Sequence, residues 1–334
     1  MLTIGAAELR RLLPWDALVE ALRAMFREGC AAPLRHRHPL PPAGEGGGAP
    51  DGSLLLMPAW QAPPGGAGGG DGPRFTGVKI VHVLPGNAAR GLPAVHAAYL
   101  LSDAATGAPL AVLDGGELTD RRTAAASLLA AGFLARPDSR DLLLLGSGRV
   151  AAALAEAYAA RFPHLADIAV WSRRAGNAEA LAARLRRGHG LPARAVARPD
   201  PGAADIVACA TLSAAPLVRG AEVRPGTHVD LVGAFRPDMR ESDGALLARA
   251  GRLVVDTRAG ALAEAGDLLQ AIAEGAIGGP EAISAELAEL CHGAVPGRRD
   301  PAEVTVFKSV GWAGEDLAAA ALAYAGAASA SAST

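Results

Sequence analysis

The chain has 334 residues, half of them hydrophobic, and a formal net charge of −2, a length that suits roughly two domains of ~150 residues each. The near-neutral charge and an aromatic content of 4% offer little attraction for nucleic acid or anionic lipid, so we predict neither partner. Three widely spaced cysteines without metal-ligand spacing, and no apolar run near the ~20 residues that span a bilayer, favour a reduced cytoplasmic protein with no metal site and no membrane span.

The first third of the chain predicts one helix followed by several short strands. Leu18, Leu22 and Met25 fall on one face of a helix that begins at Pro14 or Trp15 and ends at Glu28. Closely spaced strand-like runs separated by turn residues then indicate an antiparallel sheet. These runs are Arg35–Leu40, Ser53–Ala59, Thr76–Val83, Ala94–Ser102 and Pro109–Leu113. Two Gly/Pro-rich segments, Pro41–Gly52 and Ala62–Pro73, are predicted as long loops around the second run.

The rest of the chain alternates between strands and helices. A helix is predicted over Glu117–Ala135 and a last helix over Glu315–Tyr324, with a frayed tail from Ala325. Between the two helices lie six strand-like runs, at Asp141–Leu145, Asp167–Ser172, Arg194–Ala197, Asp205–Thr211, His228–Gly233 and Arg252–Asp256. This alternation predicts a doubly wound parallel sheet. The predicted fold class is therefore α/β, a Rossmann domain together with a mixed α+β N-terminal domain.

The segment after the first of these six strands carries a dinucleotide-binding pattern. Gly146, Gly148 and Ala151 have the G-x-G-x-x-A spacing, between a leucine-rich strand and an alanine-rich helix. The first glycine permits a tight turn, the second lets the backbone approach a pyrophosphate, and the alanine lets the helix pack closely on the strand. The helix N-terminus also favours phosphate. We therefore predict that the residues at the phosphates are Gly146, Ser147, Gly148, Arg149 and Val150.

The end of the second strand indicates which dinucleotide is bound. An acidic residue usually holds the ribose 2′-hydroxyl there, but this chain has Arg173 and Arg174. Two guanidinium groups suit the 2′-phosphate of NADP, so NADPH is the predicted cofactor, with NADH as the alternative. The competing interpretation is a pair of solvated charges at a strand end. The predicted cofactor residues beyond the turn are Ser172, Arg173, Arg174, Asn177, Thr211, Leu212 and Val232.

A series of segments spread over nearly the whole chain carries a more specific pattern. The segments are Leu56–Ala59, Gly77–Ile80, Leu84–Asn87, Leu118–Ser127, Val232–Ala234, Arg236–Glu241, Glu264–Asp267 and Val306–Gly311. In this order, together with the glycine turn, they resemble the ornithine cyclodeaminase/mu-crystallin family. The resemblance implies a homodimer. It also implies a substrate-binding and dimerisation domain over residues 1–135 and 305–334, and a Rossmann NAD(P)-binding domain over residues 136–304.

The resemblance implies three substrate-site residues. Arg35 and Arg122 occupy the positions at which the family binds the substrate carboxylate, a task suited to a guanidinium fork. Lys79 occupies the position of a catalytic lysine, and desolvation in its apolar strand would lower its pKa so that it exchanges protons near neutrality. Surface interpretations stay open, because strand lysines commonly face water and Arg35 begins the basic cluster that continues to His38.

This chain departs from the family pattern at two positions that distinguish the cyclodeaminases from the other branches of the family. Cyclodeaminases have a glutamate where this chain has Leu55 and an aspartate where it has Phe235. Without these acids we expect NAD(P)H-dependent reduction of a preformed cyclic ketimine acid, which needs only orientation, a hydride and one proton. The expected reaction converts Δ1-pyrroline-2-carboxylate to L-proline, or Δ1-piperideine-2-carboxylate to pipecolate, with Phe235 against the substrate ring. The alternatives are an ornithine cyclodeaminase, an amino-acid dehydrogenase, and an NADP-binding protein of mu-crystallin type without turnover.

Overall fold

The computed structural model describes residues 1–41, 52–62 and 73–332. These form two compact units, one of Met1–Arg122 with Trp312–Thr334 and the other of Thr123–Gly311. The two units therefore divide at 122/123 and 311/312, whereas the predicted domain boundaries are at 135/136 and 304/305. The two predicted Gly/Pro-rich loops lie almost entirely outside the described residues, at 42–51 and 63–72.

The first unit contains a six-stranded mixed sheet. Its elements in chain order are β1 (Leu2–Ile4), α1 (Ala6–Leu12), α2 (Trp15–Glu28), β2 (His36–Leu40), β3 (Gly52–Trp60), β4 (Phe75–Val83), β5 (Val95–Asp103) and β6 (Pro109–Asp114). The helix α3 (Gly115–Leu134) begins in this unit, and its residues from Thr123 onward belong to the second unit. The strand order is β1-β6-β5-β4-β3-β2. All neighbouring pairs are antiparallel except β1 and β6. The predicted helix α2 and all five predicted strands are confirmed to within two residues at each end.

The second unit contains an eight-stranded parallel sheet. Its elements are β7 (Asp141–Leu145), α4 (Arg149–Arg161), β8 (Asp167–Trp171), α5 (Ala175–His189), β9 (Ala193–Ala195), β10 (Ile206–Cys209), β11 (His228–Leu231), α6 (Gly244–Arg249), β12 (Arg252–Val255), α7 (Arg258–Glu264), α8 (Gly266–Ala273), β13 (Ala285–Glu286), α9 (Leu287–His292) and β14 (Thr305–Lys308). The strand order is β13-β12-β14-β11-β10-β7-β8-β9. The sequence order therefore reverses between β7 and β10, which is the topological switch point where such sheets bind dinucleotides.

The predicted α/β fold class, a Rossmann domain together with a mixed α+β domain, is confirmed. The sheet of the first unit was predicted to be antiparallel and is mixed, because the unpredicted strand β1 pairs in parallel with β6. Sequence analysis missed β14, which lies between β11 and β12 in the parallel sheet. Only four residues long, β14 contains Thr305 and Lys308, so it shows no continuous apolar run. Both polar side chains are nevertheless fully buried. Thr305 Oγ1 donates to the Leu134 carbonyl oxygen at 2.9 Å, and the ammonium group of Lys308 lies 3.2 Å from the Asp267 carboxylate.

The carboxyl-terminal helix α10 (Ala313–Ala332) belongs to the first unit. It packs against α2 and against the sheet strands β3, β4 and β5. The rings of Phe26 and Trp312 lie 4.9 Å apart where α2 meets the beginning of α10. The prediction of a frayed tail from Ala325 is wrong, since the helix continues to Ala332. Alanine, the best helix former, dominates this segment and supports the extension. None of the described helices is both long and apolar enough to cross a membrane.

Candidate active site

One face of the mixed sheet carries a row of buried side chains that centres on Lys79. The strand register places Met57 of β3 opposite Lys79 of β4, and Lys79 opposite Tyr99 of β5. Directly opposite residues project from the same face of a sheet. All three are buried, and the Lys79 side chain is only 2% exposed. The alternation of strand residues therefore turns this lysine away from water and towards the helix α10.

The Lys79 ammonium group meets two carboxylates and a guanidinium group at the start of α10. Its Nζ donates to Asp316 Oδ1 at 2.8 Å. Arg122 Nε donates to the same oxygen at 2.9 Å, and Arg122 Nη1 donates to Glu315 Oε2 at 2.6 Å. The side chains of Glu315 and Asp316 are fully buried. Two cations and two anions thus share one dry cluster in which Asp316 links Lys79 to Arg122.

This environment shifts the protonation of Lys79. Burial is the largest effect and lowers the pKa of Lys79, and the nearby charge of Arg122 lowers it further. The Asp316 carboxylate acts in the opposite direction, through its charge and its hydrogen bond, and the net result is a pKa of about 8. Arg35 also contributes a lowering effect. The structure therefore joins Lys79 and Arg122 through Asp316, and the charge of Arg35 also acts on Lys79.

Sequence analysis did not identify Glu315 and Asp316. The signal was present, since two adjacent acids stand near the beginning of a helix that otherwise consists of small and apolar residues. Acids in the first turn of a helix are also favoured by the helix dipole, so their position in the sequence does not by itself indicate a functional site. Only the packing of α10 on the sheet shows that both face buried cations.

Leu55 lies on the same sheet face as Lys79. It is directly opposite Val81, two residues along β4 from Lys79, and it is half-buried. Arg37 of β2 pairs with Leu55 from the other side. A glutamate at this position would project beside the lysine, whereas leucine gives the surface an aliphatic side chain that cannot accept a proton.

In the second unit, the turn between β7 and α4 has the geometry that a pyrophosphate requires. Gly146 has a φ of 120°, and a Cβ there would overlap the Ala210 carbonyl oxygen. A Cβ on Gly148 would meet no atom of the described residues within 4 Å, so the backbone borders open space. Gly148 is the N-cap of α4 and brings no capping side chain, and Ala151 is fully buried against the sheet. These features fit a dinucleotide phosphate at the helix N-terminus.

The end of β8 adjoins this turn. Ser147 and Ser172 share a hydrogen bond of 3.0 Å between their hydroxyl oxygens. Arg173, Arg174 and Asn177 follow and are exposed. Arg149 is also exposed, whereas Val150 is half-buried. The structure thus gathers the predicted phosphate and ribose residues on one edge of the parallel sheet.

The remaining predicted cofactor residues follow β10 and β11. Thr211 is half-buried, Leu212 is 73% exposed, and Val232 is half-buried. Phe235 is also half-buried and packs against the hydrophobic core of the parallel sheet, so part of its ring contributes to core packing. Glu241, which the site prediction lacked, accepts hydrogen bonds from both loops.

A parallel sheet with a glycine turn at its switch point defines a dinucleotide-binding α/β protein. The buried cations Lys79 and Arg122 of the first unit add a group of side chains suited to an anionic substrate. The model of the ornithine cyclodeaminase/mu-crystallin family matches residues 31–331. The chain belongs to this family, which confirms the resemblance inferred from its motifs.

Relatives with assigned names indicate which branch of the family this chain is similar to. The chain is 42% identical over 302 residues to a Δ1-pyrroline-2-carboxylate reductase of Paracoccus denitrificans, covering 88% of this chain and 90% of the relative. The Δ1-pyrroline-2-carboxylate reductase of Thermococcus litoralis, solved with NADH and L-proline, matches with a TM-score of 0.89 and 32% identity, over 99% of this chain and 98% of that one. An archaeal alanine dehydrogenase dimer with bound NAD matches with a TM-score of 0.85 and 29% identity, over 99% and 97%. The two named reductases are oxidoreductases that act on C=N bonds.

Proposed function

We propose that this protein reduces a cyclic ketimine acid, Δ1-pyrroline-2-carboxylate to L-proline, with Δ1-piperideine-2-carboxylate to pipecolate as the six-membered counterpart. A hydride adds to the imine carbon beside the carboxylate, and a proton adds to the ring nitrogen. One dihydronicotinamide is oxidised for each imine reduced, so atoms and electrons balance. The similarity to two Δ1-pyrroline-2-carboxylate reductases supports the substrate class.

The observation that carries the proposal is the buried cation pair of Lys79 and Arg122 on a surface where Leu55 replaces an acid. A guanidinium group binds a carboxylate through parallel hydrogen bonds, and Glu315 and Asp316 hold Arg122 in one orientation for that task. Lys79, with a pKa of about 8, is protonated near neutrality and donates the proton to the imine nitrogen. Arg35 adds positive charge for the substrate carboxylate.

The chain's own residues favour a pyridine dinucleotide, and when bound it supplies the hydride. Gly146 and Gly148 shape the turn for the pyrophosphate, and the first turn of α4 offers backbone N–H groups. We propose NADPH as the preferred form because exposed guanidinium groups of Arg173 and Arg174 stand at the end of β8, where a carboxylate would otherwise select NADH. The solved neighbours contain NADH or NAD, so NADH is the second candidate.

The test is a spectrophotometric assay of NADPH and NADH oxidation by the purified protein with Δ1-pyrroline-2-carboxylate and Δ1-piperideine-2-carboxylate. The matched control is Δ1-pyrroline-5-carboxylate, whose C=N carbon is not adjacent to the carboxylate and which we expect not to react. Failure to oxidise either cofactor with both 2-carboxylates would overturn the proposal. Ammonia release from ornithine without net cofactor turnover would establish a cyclodeaminase, and a requirement for a keto acid plus ammonia would establish an amino-acid dehydrogenase.

We further propose that the protein is a homodimer that uses the second face of the mixed sheet. The middle of this face is apolar and only half-buried, in contrast to the buried face beneath α10, whereas polar side chains such as His82 and Asp114 stand at its margins. They form cross-strand rows that include Leu56, Pro58, Val78, Ile80, Leu100 and Val112. An apolar surface of this kind on a sheet is typical of a protein interface, and a second copy of the chain is the proposed occupant. The dimeric alanine dehydrogenase supports this assembly.

A further inference from the structure

The loops that follow β10 and β11 are joined by a single buried carboxylate. Thr211 donates to Glu241 Oε1 twice, through its backbone N–H at 2.7 Å and through Oγ1 at 2.8 Å. Gly233 donates its backbone N–H to Glu241 Oε2 at 2.7 Å. Glu241 is fully buried. Both oxygens are therefore engaged, one with each loop, and the spacing of the loops is fixed by the width of one carboxylate.

The two loops also touch directly. A Cβ on Gly233 would overlap the Thr211 carbonyl oxygen and Glu241 Oε1. Only glycine allows the backbone of the second loop to approach the first so closely. Leu212, next to Thr211, is largely exposed, and Val232, next to Gly233, is half-buried.

Two further buried charged residues, Asp267 and Lys308, lie next to Glu241. Asp267 Oδ1 accepts hydrogen bonds from the backbone N–H groups of Glu241 at 2.8 Å and Ser242 at 2.7 Å. Lys308 Nζ lies 3.2 Å from Asp267 Oδ2, with both side chains fully buried. Burial raises the pKa of Glu241, while the charge of Lys308 acts in the opposite direction. Lys308 thus stabilises two carboxylates at the carboxyl edge of the sheet.

We propose that Glu241 is a positioning residue for dinucleotide binding, which sets the two loops at the distance that the nicotinamide end of the cofactor requires. The loops lie at the carboxyl ends of β10 and β11, the edge at which parallel sheets bind such ligands. The backbone N–H and hydroxyl groups of Thr211 and the backbone N–H of Gly233 all donate to the Glu241 carboxylate. We infer that Glu241 acts by holding the two loops and does not itself contact the cofactor. This inference rests on the proposed function for the identity of the ligand.

The variant Glu241→Gln tests the proposal. Its side-chain amide has one acceptor and one NH2 donor, so it can accept from Thr211 or from Gly233 but not from both. We expect the Kd for NADPH or NADH, measured by fluorescence titration without imine, to rise about 10-fold or more, since hydrogen bonds to a charged group are strong. Gly233→Ala, which separates the loops without changing charge, should have the same effect.

The matched control is Asp205→Asn, at the opposite end of β10. Asp205 is a buried carboxylate that accepts from Arg136, from Arg224 at 2.5 Å and from the backbone N–H of Arg140 at 2.8 Å. We expect Asp205→Asn to lower the Tm without raising the cofactor Kd.

In steady-state assays Glu241→Gln should raise the KM for cofactor more than the KM for imine.

An unchanged cofactor Kd in a folded Glu241→Gln protein, or an equal rise in Asp205→Asn, would overturn the positioning role. Because the titration contains no imine, a wild-type protein that binds the cofactor but reduces no ketimine would refute the proposed function and leave this inference standing.

Discussion

Lys79 Nζ lies 2.8 Å from the carboxylate of Asp316, although 237 residues separate the two in the chain. The contact joins the central strand β4 to the first turn of α10 in a region that excludes water. It gives Lys79 a defined orientation and a counter-ion that opposes the lowering of its pKa by burial and by Arg122. The carboxyl-terminal helix therefore contributes to the chemistry of the sheet as well as to its packing.

The first prediction concerns the pH dependence of ketimine reduction. Protonated Lys79 is the active form, so kcat should fall as the pH rises through its pKa of about 8. Asp316→Asn removes the negative charge that raises this pKa and leaves only a neutral amide oxygen to accept the hydrogen bond. The alkaline limb of kcat should therefore move to lower pH by about 1 unit or more. The measurement is kcat against pH for both proteins with the same imine, so that titration of the substrate itself cancels.

Glu315→Gln is the matched control for Asp316→Asn. Glu315 is the adjacent acid and binds Arg122, whereas Lys79 binds Asp316. We expect this variant to raise the KM for the imine with a smaller movement of the alkaline limb. Each variant leaves a buried cation with one partner fewer, which costs roughly 3–5 kcal/mol, so thermal unfolding should accompany the kinetics. An alkaline limb that stays in place in folded Asp316→Asn would show that Lys79 is not the titrating group.

The second prediction separates folding from cofactor binding in the glycine turn. Gly146→Ala should lower the Tm and abolish cofactor binding, because its φ of 120° is unfavourable for alanine and its Cβ would overlap Ala210. Gly148→Val should fold normally, since open space surrounds this position, but its side chain would occupy the place of the pyrophosphate. Thermal unfolding and fluorescence titration measure the two effects. Tight cofactor binding by Gly148→Val would place the phosphates elsewhere.

The third prediction concerns the choice between NADPH and NADH. Changing Arg173 and Arg174 together to alanine should raise the KM for NADPH about 10-fold or more and leave the KM for NADH nearly unchanged, because only NADPH carries the 2′-phosphate. Arg187→Ala changes an exposed arginine in the last turn of α5, the helix that follows the two arginines. It is the control and should change neither KM. Equal effects on both cofactors would assign the two arginines to another role.

The fourth prediction concerns assembly. Ile80 is half-buried in the centre of the proposed interface face, and Ile80→Glu would place a charge in a buried apolar surface. We expect the wild type to elute at the mass of a dimer and the variant at the mass of a monomer in size-exclusion chromatography with light scattering. Ala180→Glu, on the exposed side of α5, should remain dimeric. A monomeric wild type at micromolar concentration would refute the proposed interface.

Elements with one dominant physical signal were predictable from the sequence. The four leucines of β7 and the amphipathic pattern of α2 have the spacing that a buried strand or a core-facing helix requires. The glycine turn was predictable because Gly146 and Gly148 are needed for backbone reasons that hold in any fold of this class. The strand β14 was not predictable, since its burial depends on neighbours that complete the hydrogen bonds of Thr305 and offset the charge of Lys308.

The sequence by itself determined the dinucleotide turn and the alternation of strands and helices, which depend on residue type and on spacing between neighbouring residues of the chain. The resemblance to the family, and not local spacing, implied the three cations that we assign to the substrate. Only the tertiary structure decided that Asp316 and Glu315 are the partners of Lys79 and Arg122, and that Glu241 joins two loops. Such pairings join groups far apart in sequence, and their strength comes from the exclusion of water, which depends on how the whole chain packs.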